Sequence, residues 1–301
     1  MIQFFHILFA ITFAPLLIGV INKTKALFAG RRGPPLLQTY FDILKLLRKG
    51  AVYSETTTAL FKLGPIVGLA VTVVALAVLP FASSKPLLTF QGDILLLAYL
   101  LGLARFFTVI AALDTGSSLE GMGASREVQF STIAEVALLI GLAALARKCG
   151  SASLFDIFSA ISGQAWQQSG ALLGLVGATL LIVYLTENAR IPIDDPNTHL
   201  ELTMIHEVMV LDHSGPDLAM ISYASALKLW IFGTLLINLL VPIHGLRFLP
   251  AHVVFLIGMI GLAVIVGVIE SCMARLKLLQ VPDLLLGAVG LSTLAFFISA
   301  R

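Results

Sequence analysis

Eight apolar runs, each close to 20 residues long, recur along this 301-residue chain and leave little room for a fold outside a lipid bilayer. They lie near residues 2–21, 60–82, 93–113, 127–148, 169–187, 217–241, 251–272 and 282–300. A hydrocarbon core about 30 Å thick is crossed by roughly 20 helical residues. Composition agrees, because 58% of residues are hydrophobic and 12% charged, against about a quarter charged in soluble domains. No polar stretch between the runs is long enough to bury a core of its own. The expectation is an all-α integral membrane protein with about eight transmembrane helices, a single polytopic domain over residues 1–301. The first run lacks a basic leader and a small-residue cleavage site, so it reads as a retained span.

Loop charge orients such a bundle. The loop 22–59 carries Lys23, Lys25, Arg31, Arg32, Lys45, Arg48 and Lys49; same-side loops add Arg126, Arg190, Arg275 and Lys277, making 11 basic residues against 5 opposite. The basic side is expected to be cytoplasmic, with the N- and C-termini on the non-cytoplasmic side of a cell (inner) membrane. Within the first basic loop, residues 34–49 place Leu36, Leu37, Tyr40, Ile43, Leu44 and Leu47 at helical spacing, with Asp42 and Lys45 elsewhere. This pattern reads as a surface-lying amphipathic helix opened by Pro34 and Pro35. The loop 187–217 concentrates Glu187, Asp194, Asp195, Glu201, Glu207, Asp212 and Asp217, seven of the chain's 17 acids, against Arg190 alone. Repulsion within it requires cations, protons or a basic partner.

Several chemistries lack a footprint. A formal charge of +2 with no basic block rules against nucleic acid as a partner. Cys149 and Cys272 stand alone, with no spacing that would hold zinc, haem or an iron–sulfur centre, so this chain is expected to bind no metal or cofactor. Phosphate-cradling and nucleophile-elbow motifs are also missing.

Ionisable groups inside apolar spans are costly, and they are the natural place to look for function. Arg105 falls in the third run, Glu135 in the fourth and Lys228 in the sixth; Asp114, Glu187 and Glu270 fall near span ends, within reach of interfacial water. A low-dielectric interior favours the protonated carboxyl unless an opposite charge compensates, so Glu135 is a candidate proton carrier. It is equally a candidate for a structural ion pair with Lys228 or Arg105. Glu127, Ser131 and Glu135 stand at i, i+4 and i+8, a polar ladder along one helix ridge. His6, His244 and His252 read as packing or interfacial groups. His199, His206 and His213 share the acidic loop at spacings of seven, open to proton buffering or to ordinary loop hydrogen bonding.

Two segments resemble a known family. GRRGPPLLQTYFDILKLLRKG is similar to the first signature of subunit 1 of respiratory complex I, and RIPIDDPNTHLEL is similar to the second. ARFFTVIAALDTGSSLEGMGASREVQFSTIAEVALL and IESCMARLKL resemble more nearly the homologous subunit of formate hydrogenlyase, hydrogenase-4 and other group 4 membrane-bound [NiFe] hydrogenases. The resemblance covers nearly the whole chain. It implies a subunit without redox centres that anchors a catalytic arm and opens an acidic track toward ion-translocating subunits. The [NiFe] centre and iron–sulfur clusters are then expected in partners: hydrogenase-like large and small (iron–sulfur) subunits, beside antiporter-like membrane subunits and the lipid bilayer. Carried onto this chain, Arg31, Arg32, Gly33, Pro34, Asp42, Lys45, Arg126 and Arg190 fall to subunit docking. Asp114, Glu127, Glu135, Glu187, Asp194, Glu201, Arg105 and Lys228 fall to the proton or ion relay. Asn197, Thr198 and His199 stand where complex I carries acids, and Asp212, His213, Ser214 and Gly215 replace its terminal segment, which weighs against quinone. Two alternatives stay open: the quinone-site subunit of an NADH- or F420-type dehydrogenase, and an independent ion-coupled transporter built on Glu135 and Lys228.

Overall fold

The computed structural model describes residues 2–82, 84–194, 204–243 and 248–300. Ten helices appear among them: α1 (Ile2–Phe28), α2 (Gln38–Leu47), α3 (Ala59–Leu76), α4 (Asp93–Asp114), α5 (Ser118–Cys149), α6 (Leu154–Ala160), α7 (Gly163–Glu187), α8 (Gly215–Leu240), α9 (Phe248–Cys272) and α10 (Val281–Ile298). Eight are long and apolar enough to cross a membrane; α2 and α6 are not.

Each span starts or stops for a local reason. Gly150, in the left-handed region at φ +70°, ends α5. The Thr58 hydroxyl caps α3 by accepting from Leu60 N, and the Asp114 carboxylate in turn accepts from Thr58 N at 2.7 Å. Asp93 opens α4 and accepts from Leu154 N at 2.7 Å and from Ser153 Oγ at 3.0 Å, binding the starts of α4 and α6 together.

The fifth apolar run lengthens into α7, which reaches back to Gly163 across a kink at Ser169. The fourth run likewise becomes the 32-residue α5, with nine residues beyond its apolar part on the α2 side. Those residues are helical because the loop 204–213 packs on them. A Cβ on Gly123 would collide with Val208, Arg126 Nη1 donates to Met204 O at 3.0 Å, and Asp212 N donates to Glu120 at 3.2 Å.

α8 is the axis of the bundle, packing against α1, α2, α3, α7 and α9, while α10 lies against α5 and α7. The stretch of α8 from Ala226 to Leu239 is buried apart from the half-buried Lys228, with Trp230 and Phe232 among the side chains enclosed. Peripheral helices split by face. α9 buries Ala251, Phe255, Met259, Ala263 and Val266 but exposes Leu249, Val253, Ile257, Ile260 and Val264. In lipid such an apolar face needs no cover.

α2 is shorter than the amphipathic stretch in the sequence, because residues 35–37 form a turn in which Gln38 N donates to Pro35 O. Its apolar residues also divide: Tyr40 and Ile43 are half-buried, whereas Leu36, Leu37, Phe41, Leu44 and Leu47 are exposed. Tyr40 ties it to α1 by donating its hydroxyl to Thr12 O. Gly19 admits the Leu36 carbonyl where any Cβ would block it. Pro15, inside α1, has no N–H to offer the carbonyl four residues back. That carbonyl, of Ile11, accepts instead from the Tyr223 hydroxyl of α8 at 2.7 Å.

This substitution of donors is testable. Tyr223→Phe removes the bond and is expected to lower stability by about 1 kcal/mol, read as a lower thermal midpoint in detergent. In a Pro15→Ala background the backbone N–H is restored, and the same change is expected to cost distinctly less.

Candidate functional site

The polar residues inside this bundle converge on one guanidinium. Arg105 projects from α4 toward α5, α7 and α8. Its Nη2 lies 2.6 Å from Glu187 Oε1, its Nη1 3.0 Å from Glu135 Oε2, and its Nε 3.7 Å from Glu127 Oε1. Glu127 and Glu135 sit two turns apart on α5, and Glu187 is the last residue of α7. Lys228 of α8 reaches the other Glu187 oxygen at 2.8 Å. His206, from the loop after α7, places Nδ1 3.1 Å from Glu127 Oε2. Glu135 therefore pairs with Arg105, and Lys228 with Glu187.

Burial decides what such a cluster can do. The Glu187 and Glu127 side chains are 2% and 7% exposed, Arg105 13%, and Glu135 32%. Removing an ion from water costs several kcal/mol, and a pair at 4 Å recovers about 4 kcal/mol at an effective dielectric near 20. Arg105 meets this cost by serving three carboxylates at once. The count is uneven: among the described residues, three carboxylates face the two cationic side chains Arg105 and Lys228, so with His206 uncharged the formal charges fall one positive charge short of neutrality. A proton taken up here closes that gap.

A cavity of about 540 Å³ opens onto the cluster. Arg105, Glu127, Glu187, Lys228 and His206 line its polar end, and Ile18, Ile43, Leu46, Leu101 and Met209 are among its apolar walls. α2 closes one side, so Asp42 lines this cavity.

A second group lies one helical turn beyond Glu187. Glu270 of α9, its side chain fully buried, holds Lys25 Nζ of α1 at 2.8 Å and Arg190 Nη1 at 3.4 Å. The sequence places Glu270 near a span end, within reach of water; helix packing encloses it instead. Beside it Asp194 pairs with Arg275 at 2.9 Å and accepts from Ile205 N and His206 N, both at 3.2 Å. The acidic loop thus draws compensation from this chain's own Arg105, Lys228 and Arg275.

Other candidates fall elsewhere. Asp114 caps α3 through Thr58, apart from the Arg105 cluster. Arg190, expected at a docking face, is buried against Glu270, and Arg126 is turned inward to Met204 O. Arg31, Arg32, Gly33, Pro34 and Lys45 lie on the exposed side of the α1–α2 connection and of α2. Glu201, Asp195 and His199 lie outside the described residues. Sequence reasoning missed Glu270 and Lys25 as partners and left His206 undecided, since no spacing signal links groups that meet only through packing. Among the described residues no group of three or more His, Cys, Asp or Glu is placed to hold a metal ion.

Near the mouth of the cavity, His213 stacks on Phe61 with centroids 3.9 Å apart. Burial pushes this imidazole below its ordinary value of 6.5, against the opposing pull of Asp217 and Asp212. Tyr53 lies close by; burial, and then its hydrogen bond to Asp217, raise its phenol.

Comparison with known proteins covers the chain from end to end. The NADH dehydrogenase family model matches residues 2–300. Formate hydrogenlyase subunit 4 of Escherichia coli (strain K12) is 30% identical over 296 residues, covering 96% of this chain and 94% of that protein. Hydrogenase-4 component C of the same organism is 29% identical over 273 residues, 89% of this chain and 85% of that one. An NADH-quinone oxidoreductase subunit of Brevibacillus brevis is 28% identical over 257 residues, 83% of this chain and 75% of that one. Among solved structures, a chain of the membrane-bound sulfane sulfur reductase, an archaeal respiratory membrane complex, superimposes with a TM-score of 0.82 at 21% identity, covering 99% of this chain and 98% of that one. That last likeness shows the shared fold.

Two outcomes test the geometry. Arg105→Leu strips three carboxylates of their common cation and is expected to cost at least about 3 kcal/mol, seen as loss of folded protein from the membrane; Glu135→Gln, at the partly exposed edge, is expected to be tolerated. His213 is held neutral when folded, so the unfolded chain binds more protons as pH falls through 6.5. Stability is then fully present above 6.5 and declines below it. His213→Phe, which keeps the stack, is expected to flatten that acid limb in thermal midpoints between about pH 7.5 and 5.5.

Proposed function

Because the chain belongs to the NADH dehydrogenase family, that of complex I subunit 1 and its relatives in formate hydrogenlyase and hydrogenase-4, we propose that it is the membrane anchor and coupling subunit of an energy-converting, hydrogenase-like respiratory complex. The single observation that carries this reading is the Arg105 cluster: buried, one charge short of neutrality, and open to a cavity. Such a site changes its proton content when the potential around it changes. A partner arm carrying the electrons, with its [NiFe] centre and iron–sulfur clusters, would dock on the exposed residues around Arg31, Arg32, Gly33, Pro34 and Lys45. Charge moved in that arm would shift the protonation of the acidic loop and of Glu127, Glu135 and Glu187. Antiporter-like membrane subunits would receive the displacement and move a proton or sodium ion. In this reading the face bearing α2 is cytoplasmic, both termini lie on the other side, and the membrane is the cell (inner) membrane.

One observation favours a second reading. The cavity has the volume of a small-molecule site and apolar walls, which suit the quinone-site subunit of a dehydrogenase. The departures at Asn197, Thr198 and His199 weigh on the other side. An independent transporter is disfavoured because Glu135 and Lys228, the two groups it would use, pair with different partners.

Solubilisation from the native membrane in mild detergent is expected to bring iron–sulfur subunits and nickel with this chain, read by mass spectrometry and metal analysis. Flavin or quinone without nickel would establish the dehydrogenase reading, and recovery of the chain alone that of a transporter. In the assembled complex, Glu135→Gln is expected to leave subunit content unchanged while ion transport per turnover falls at least about a hundredfold, since it takes a proton-accepting carboxylate out of the cluster. Loss of the whole complex would mean that Glu135 serves the fold alone.

A further inference from the structure

His206 comes from the loop after α7, yet it makes direct contact with the Arg105 cluster: its Nδ1 lies 3.1 Å from Glu127 Oε2. The loop holds it there firmly. Its backbone N–H and that of Ile205 both donate to Asp194, which is itself held by Arg275, and the carbonyl of Met204 accepts from Arg126. Its side chain retains 32% exposure and lines the cavity, while Glu127 beneath it is only 7% exposed. An imidazole so placed has one nitrogen on a buried carboxylate and a surface open to cavity water.

We propose that His206 is the proton-entry group of the cluster, the residue that passes a proton from the cavity to Glu127. This inference rests on the coupling role proposed above. A hydronium ion in the cavity breaks one O–H bond and is left as water while an N–H bond forms at Nε2; the Nδ1–H bond breaks, and that proton forms an O–H bond on Glu127 Oε2. The imidazole ends neutral and Glu127 ends uncharged. The three carboxylates and two cations, one negative charge in excess beforehand, then balance. Glu127 lines the same cavity end but its side chain is only 7% exposed, and of the two groups paired with it among the described residues, Arg105 and His206, the imidazole is the one whose two nitrogens can take a proton on one side and release it on the other.

The charged groups around the imidazole come from several elements. Glu127 contacts it from α5, where Arg126 also holds the Met204 carbonyl, and Arg105 reaches Glu127 from α4; Asp194 lies at its backbone, with Glu207 beside it in sequence. Glu187 and Lys228 share the same cavity end, and Asp212 and His213 follow on the loop.

Chemical rescue separates this role from loop packing. In the assembled complex in proteoliposomes, His206→Ala is expected to slow ion transport at least about a hundredfold, at the low side of what a positioned proton-transfer group contributes. Added imidazole, admitted by the cavity, is expected to restore it, with substituted imidazoles restoring it in an order set by their pKa. An unimpaired His206→Ala variant would overturn the proposal. So would a slowed variant with wild-type subunit content and thermal midpoint that no imidazole restores. If His206→Ala does not assemble, His206→Gln keeps a donor toward Glu127 without a transferable proton: loss of transport supports proton entry, and a wild-type rate and pH profile overturn it. Normal transport by Glu135→Gln, run in parallel, would count against the coupling reading itself; a defect there beside an unaffected His206→Ala would reject only the entry group.

Discussion

The cluster that lines the cavity depends on Arg105. A guanidinium placed among apolar helices loses several kcal/mol of hydration, and only a dense set of acceptors makes its position stable. Its forked donors suit that task, since they can serve carboxylates from different directions at once. Here they reach the last residue of α7 and two positions on α5, so the charge fixes three helices relative to one another. Lys228 then becomes necessary, because Glu187, nearly sealed from solvent, has a second oxygen to satisfy.

The site is built around the end of α7. Glu187 terminates α7, and the chain that follows turns immediately through Arg190 and Asp194, each gripped by an ion pair to another element. The loop 204–213 then lies along the extended start of α5 and brings His206 to Glu127. α2 covers the opposite wall, held to α1 by Tyr40 and by the close approach at Gly19. A protein docked on α2 and the acidic loop would therefore press on the same cavity from two sides.

The Glu270 cluster plays a quieter part. One carboxylate between Lys25 and Arg190 leaves an excess of positive charge next to a cluster with an excess of negative charge. Two opposite imbalances, separated by a single turn of chain, attract one another.

Much of this was legible in the residue order alone. All eight spans could be read because lipid demands about 20 apolar residues per crossing, a signal that needs no tertiary knowledge. The α2 segment, the acid-rich loop and Arg105, Glu127, Glu135, Glu187 and Lys228 stood out for the same reason, as polar groups where polarity is costly. What the order could not decide was who meets whom. Arg105 finds Glu135 30 residues away and Glu187 82 away, and Arg190 finds Glu270 80 away. Ion pairing acts over about 4 Å, and distances that short are set by how α4, α5, α7, α8 and α9 pack. Packing likewise buried Glu270, moved Asp114 to a helix cap and drew His206 inward. The sequence by itself determined a helical membrane subunit and the charges within it; only the tertiary structure decided their pairing, because the energy of a buried charge depends on its nearest neighbours and not on its place in the chain.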